Sequence, residues 1–322
     1  MRVIVALYAL AISSAFIPHA AVAQNNYPSQ TIRVLVPFAP GGVADLIGRI
    51  AAQELKEALN ASVMVENKPG GTGLIATREA ISAPPDGHTL LIGTIANLIV
   101  PPELNENAKF DALKDITPLS VPATYPLLLM VNPESKASSL AEAVQLAKTK
   151  AGGLSFGSAG LGALNFLSME LLMQETGTRM VHVPFRGGPA ASIELMNGNI
   201  DILFEGLPAV AGLLSGKKLK ALAVTSEVRL SEYPEVPTMG ESGYPNFVIK
   251  GWIGVFGPPR MPENVRAKLD EAFSNMGRKQ AVQAQLQKIG FAAAESDSKT
   301  AAAFYETEVH RWRELIKQRG IK

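Results

Sequence analysis

The sequence predicts an α/β protein of two lobes, on three observations. From residue 31 onward, short β-branched runs alternate with amphipathic helical stretches, the order that builds parallel sheets. The strand-like runs number about nine, against the roughly four to six of an ordinary sheet. Two of them, at 119–131 and 247–257, flank a middle portion that carries its own complete alternation and so read as crossings between lobes. That division gives 24–126 with 250–322 to one lobe and 127–249 to the other. A chain of 322 residues, 47% hydrophobic, can fill two cores.

The chain opens on Arg2, an apolar run at 3–17 and the small-x-small triplet Ala21-Val22-Ala23. This is the form of a cleaved secretory leader over 1–23, with an exported mature protein starting at Gln24. The run stops at Pro18 and falls short of the roughly 20 residues that span a bilayer. IRVLV at 32–36 is the first strand, followed by an amphipathic helix at 44–59. Further strands fall at 62–65, 89–93, 127–131, 154–157, 180–183, 201–204, 219–225 and 252–256. Further helices fall at 72–82, 138–150, 163–175, 189–197, 262–276, 280–288 and 298–318, with the C-terminal ones packing back on the first lobe.

Composition narrows the partners. There is no cysteine, hence neither a disulfide framework nor a thiol that could carry a lipid near the cleavage site. Once Arg2 leaves with the leader, basic and acidic residues balance at 29 each, without a block of like charge. Nucleic acid and anionic membrane surfaces both demand a basic footprint, so small molecules and other proteins remain. A monomer suits a freely diffusing carrier.

The segment PFAPGGVAD at 37–45 is the most informative. A strand ends in a glycine turn and a helix begins at once, leaving backbone N–H groups unpaired where the helix dipole also favours negative charge. An anion can bind there without a basic side chain, and glycines permit close approach. Asp45 alone is equally explained as a complement to the first helical turn. A comparable turn, SFGSAGLG at 155–162, falls in the middle portion, and a third, TIAN at 94–97, follows the strand ending at Gly93. All three would lie outside the carboxyl ends of strands, where open α/β sheets bind ligands.

Enzyme motifs are incomplete. Gly216-Lys217 lacks the upstream glycine of a P-loop, since residue 211 is alanine, and is followed by Lys218 in place of Ser or Thr. Neither Ser158 nor Ser242 sits in a Gly-x-Ser-x-Gly elbow. The histidines of the mature chain, His88, His182 and His310, are widely spaced and have no metal-ligand pattern, reading as strand-edge or surface residues. No catalytic constellation, cofactor or metal site is expected.

Taken together, YPSQTIRVLVPFAPGGVADLIGR (27–49), VENKPGGTGLIATREAISAPPDGHTLLIGT (65–94), GSAGLG (157–162), VPFRGGPA (183–190), KLKALAVT (218–225), PEVPTMGESGYPNF (234–247) and GWIGVFGPP (251–259) resemble the Bug, or tripartite tricarboxylate transporter, substrate-binding proteins over essentially the whole mature chain. The resemblance implies a periplasmic Venus-flytrap fold that captures a small carboxylate by hinge closure, with no reaction, and passes it to a membrane transporter or a sensor. Backbone amides and water would hold the carboxylate at the first loop while the second lobe reads the rest. Carried onto this chain, the implied ligand-binding residues are Phe38, Ala39, Gly41, Gly42 and Asp45, then Thr94 and Ala96. From the second lobe come Ser158, Ala159 and Gly160, with Phe204 and Glu205.

The chain departs from the family pattern in its second half. Ala163, Leu164 and Phe166 stand where small hydroxyl residues and a histidine are frequent, Leu161 replaces an often polar residue, and Glu205 a usual aspartate. If these side chains face the ligand, the distal half of the pocket is less polar and favours an aliphatic or aromatic acid over citrate. If they face the helix core, the preference disappears. Arg186 either clamps a carboxylate in a bidentate pair or is a solvated turn residue.

Overall fold

The computed structural model describes residues 27–294 and 297–322. The leader inferred from the sequence lies outside the described residues. The elements run β1 (Ile32–Val36), α1 (Val43–Leu59), β2 (Val63–Asn67), α2 (Leu74–Ser82), β3 (Thr89–Gly93), a π-helical turn (Ile95–Ile99), α3 (Val100–Leu104) and β4 (Thr117–Val131). Then come α4 (Leu140–Thr149), β5 (Leu154–Ser158), α5 (Leu164–Thr176), β6 (Met180–Pro184), α6 (Gly188–Met196), β7 (Ile202–Gly206), α7 (Leu207–Ser215) and β8 (Lys220–Val224). The chain closes with β9 (Lys250–Gly257), α8 (Glu263–Met276), α9 (Gln280–Lys288), β10 (Ala292–Ala293) and α10 (Ser298–Arg319).

Local sequence accounts for most of these elements. In α1, Ala44, Ile47, Ala51 and Leu55 recur at helical spacing and are all buried. The helix ends where Asn60 turns left-handed at φ 47°, a conformation asparagine tolerates. All five residues of β3 are buried, as a continuous apolar run in a covered parallel sheet requires. α7 is not among the helices expected from the sequence. Proline in the first helical turn is compatible with a helix, and there it stands.

β2, β1 and β3 form a parallel set, with β9 antiparallel to β3 and β4 antiparallel to β9. β4 has 15 residues and changes partners along its length. From Thr117 to Pro126 it pairs with β9, and from Leu127 to Val131 with β7 and β8. β5 continues the second half-sheet, parallel to β7 and β6. The strand expected at 127–131 and the crossing expected at 119–131 are therefore one strand. Through it the hydrogen bonding connects all ten strands, although each half remains of ordinary size. Proline removes a ladder donor and is normally confined to edges and bulges. β4 has Pro118, Pro122 and Pro126 at its two register shifts and its change of partner.

Three cores fill the molecule. One face of both half-sheets shares a core that includes Phe156, Phe204, Trp252, Phe256, Tyr305 and Trp312. The opposite faces carry one core under α1 and α8 and another under α6 and α7. The C-terminal helices pack on the first half as expected, but α10 also reaches the second, where Arg319 Nε lies 2.7 Å from Glu170 Oε2 and Gln174 Nε2 donates to Gln318 Oε1 at 2.9 Å.

Where the chain passes between halves, buried Thr225 ties the strands together. Its Oγ1 accepts from Leu127 N at 2.9 Å and donates to Ile249 O at 2.6 Å, while its N–H donates to Leu127 O at 2.9 Å. The Tyr125 ring lies against Gly206 and Gly251, where a Cβ would collide with it, and meets Phe291 edge-on at 4.9 Å.

Candidate functional site

The first loop is organised by Asp45. Its Oδ2 accepts from Gly41 N and Arg49 Nε, both at 3.0 Å, and its Oδ1 from Arg49 Nη2 at 3.0 Å and Asn67 Nδ2 at 2.9 Å. Asn67 also donates to Phe38 O at 3.1 Å, so one amide fastens both ends of the turn. Burial alone would raise the Asp45 pKa, but the bonds from Arg49, Gly41 and Asn67 outweigh it and hold the carboxyl below its usual range. Asp45 is 4% exposed, and its carboxylate is turned inward to shape the loop. Ala39, Gly41 and Gly42 are exposed and Phe38 partly so, Gly41 at φ 82°, and the N-terminus of α1 has no side-chain cap. The strand, glycine turn and helix start follow one another as expected at 37–45.

Beside it, the turn after β3 is a π-helical turn, a rare form frequent at functional sites. Thr94 N and Oγ1 both donate to Asn97 Oδ1, at 2.8 and 2.9 Å, and Asn97 Nδ2 donates to Thr77 Oγ1 at 3.0 Å. Thr94 and Ala96 keep partial exposure, and buried Asn97 is the scaffold beneath them.

In the second half, the turn after β5 is held by Ser158 and Asn165. Ser158 Oγ accepts from Gly160 N at 3.0 Å, and Asn165 Oδ1 accepts from Ala159 N at 3.2 Å. Asn165 Nδ2 donates to Glu205 Oε2 at 3.1 Å, tying the end of β7 to the start of α5. This turn meets the first half directly, because a Cβ on Gly162 would collide with Val100 of α3.

One expectation is corrected here and one alternative is decided. The Phe204 ring is fully buried and stacks on Phe247 at 5.7 Å, in the core and away from the loops. Phe166 likewise points inward, 4.7 Å from the His182 ring and 6.2 Å from Phe156. For Phe166 the structure has the helix-core alternative, while Ala163 and Leu164 keep partial exposure. Leu161 is 57% exposed on the rim, and Arg186 is exposed.

His182 lies on the edge strand β6, as expected, but its Nε2 is 2.6 Å from Ser158 Oγ. A serine and a histidine in contact are the start of a nucleophilic pair. Ser158, however, is fully buried, and its hydroxyl is also engaged by the Gly160 N–H and carbonyl. The contact thus braces the turn. Burial holds the His182 pKa below its usual value, partly offset by Glu170. A lowered histidine is stabilising while neutral, and the unfolded chain takes up its proton first as pH falls. Wild type should therefore lose more stability than His182→Gln as pH drops from about 7 to about 5, read from denaturant midpoints. Equal losses would show that His182 stays solvated. His88 is structural: its Nε2 accepts from Ser29 N at 3.1 Å and its ring packs on Tyr27.

Away from these loops, a hollow of 680 Å³ opens among Asn132, Lys136, Lys150 and Asp201, but Lys150 is spent on Asp201 at 2.7 Å. Among the described residues no cluster of His, Cys, Asp or Glu could hold a metal ion, and no helix is long and apolar enough to cross a membrane.

Two half-sheets joined by β4, with the turn after β5 packed against α3, define a two-lobed periplasmic-binding-protein fold. The chain belongs to the tripartite tricarboxylate transporter family of receptors, whose model matches residues 47–321. Among solved structures it resembles the periplasmic binding protein BugD, at 27% identity and a TM-score of 0.76, covering 92% of this chain and 99% of that one. MatC from Rhodopseudomonas palustris, solved with bound malate, is 28% identical with a TM-score of 0.76, over 90% of this chain and all (100%) of MatC. An R. palustris protein solved with adipate is 28% identical with a TM-score of 0.77, over 92% and 99% of the two chains. The family consists of periplasmic solute-binding proteins, and relatives within it hold carboxylates.

Proposed function

We propose that this protein captures a small carboxylate by closing two lobes around it and delivers it, chemically unchanged, to a membrane transporter. The lobes are 24–126 with 250–322 and 127–249, hinged where β4 passes Pro126 and the chain enters β9. The leader at 1–23 exports the protein to the periplasm. The observation that carries this reading is the uncapped start of α1 behind a turn whose one acidic group, Asp45, is already spent on Arg49, Asn67 and Gly41. Backbone amides there can take an anion at little desolvation cost to the protein. Thr94, Ala96, Ala159, Gly160 and Glu205 complete the walls, and Ser158 acts by holding its turn. Capture of malate and adipate by relatives supports a carboxylate as the cargo.

Calorimetric titration with aliphatic, aromatic and tricarboxylic acids tests the reading. At least one acid should bind one to one. Absence of heat and of thermal stabilisation across the whole panel would contradict it. Arg186 is part of the same test: Arg186→Ala should weaken the bound acid about tenfold or more if the guanidinium pairs with it. An unchanged Kd assigns Arg186 to the solvated turn.

A further inference from the structure

We infer that Glu205 sets the charge of the ligand's far end, so that the site takes a carboxylate whose distal group is a neutral hydrogen-bond donor and discriminates against a second carboxylate. The inference rests on the capture of a carboxylate at the first loop and extends it to the opposite wall. Glu205, next to last in β7, is partly exposed, where its neighbours Ile202, Leu203, Phe204 and Gly206 are buried. Four elements surround its carboxyl. Asn165 of α5 donates to Oε2 at 3.1 Å, and Gly206 N donates to Oε1 at 3.0 Å. At the start of α6, Gly188 lies so close that a Cβ there would collide with the carboxylate. From β4, Tyr125 feels its charge, which adds to burial in holding the phenol protonated.

No cation answers it. Among the described residues no lysine or arginine is recorded in an ion pair or hydrogen bond with Glu205, and Arg186, on the turn before α6, stands exposed without pairing to it. An ionised carboxyl offers about four acceptor positions, and the protein's donors engage two of them. The uncapped starts of α5 and α6, which would otherwise suit an anion, are therefore already supplied with one by the chain itself. A ligand hydroxyl, amide or ammonium fills the remaining acceptor capacity. A carboxylate meets a like charge across a shielded gap, unless the two share a proton. Burial raises the Glu205 pKa, against smaller opposing bonds from Gly206 and Asn165, which favours such a shared proton.

The test is titration of wild type and E205Q with pairs of acids differing only at the far end: succinate and 4-hydroxybutyrate, adipate and 6-hydroxyhexanoate, terephthalate and 4-(hydroxymethyl)benzoate. In the best-fitting pair, wild type at about pH 8 should prefer the hydroxy acid by about tenfold or more, and its affinity for the diacid should rise as the pH falls. E205Q should bring the two acids within about threefold and remove the pH dependence of the diacid. Wild type preferring the diacid at the higher pH, or E205Q leaving the ratio unchanged, would overturn the role of Glu205 while leaving carboxylate capture intact. Binding of no member of any pair would contradict both.

Discussion

Glu308→Ala is expected to lower the free energy of unfolding by about 3 kcal/mol, the scale of removing one partner from a buried charged network. Glu308 is 4% exposed on α10, and its Oε2 accepts both indole N–H groups, from Trp252 at 3.0 Å and Trp312 at 2.9 Å. Trp252 belongs to β9 and Trp312 to α10, so one carboxyl fastens the C-terminal helix to a strand of the first half-sheet. Alanine strands two buried donors and leaves a void between two tryptophans. Glu308→Gln keeps an acceptor and should lose about 1 kcal/mol, the scale of a single ordinary hydrogen bond. Denaturant midpoints at unchanged m-value measure both. An Ala variant that unfolds at the wild-type midpoint would mean that the two indoles find other acceptors.

Asp45→Ala should weaken the bound carboxylate about tenfold to a hundredfold, because the turn that presents the amides loses its central acceptor. Arg49 and Asn67 are then released, and with Asn67 goes the bond that holds Phe38 O. Asn67→Ala should act in the same direction with a smaller effect, since the Asp45 bonds to Gly41 and Arg49 survive it. A depressed carboxyl stabilises above its unfolded pKa and loses that contribution only as pH falls through the folded one. For Asp45 the window lies below 3.8, so the turn stays ordered through neutrality. Titration calorimetry on the variants at neutral pH decides the matter. An Asp45→Ala protein with wild-type affinity would show that the turn holds itself without the carboxylate.

Much of this architecture was legible in the residues. Ile32–Val36 followed at once by PFAPGGVAD has one economical reading, a strand handing its chain to an exposed helix start, and the structure has it. The two lobes were legible as an excess of strands. Their junction was written more locally than that, in Pro118, Pro122 and Pro126, residues a central strand tolerates only where its ladder shifts or changes hands. Phe204 shows a signal that was present and overridden. Adjacent residues of a strand face opposite sides, so Phe204 and Glu205 cannot both turn their side chains to one ligand, and the phenylalanine takes the core.

Ser158 and His182 illustrate what a single sequence withholds. They meet because β5 and β6 run parallel with Phe156 opposite His182, a register that neither strand declares by itself. Asn165 was hidden for a related reason. In GALNFLS it reads as one polar residue among apolar ones, and only the fold shows it joining the Ala159 amide to Glu205.

The most direct test of capture without chemistry is native mass spectrometry of the protein purified from a bacterial periplasm, followed by denaturation and identification of what is released. The account predicts a single carboxylic acid, recovered unaltered, that rebinds one to one. A protein that carries no acid and takes up none, or one that returns the added acid chemically changed, would contradict it.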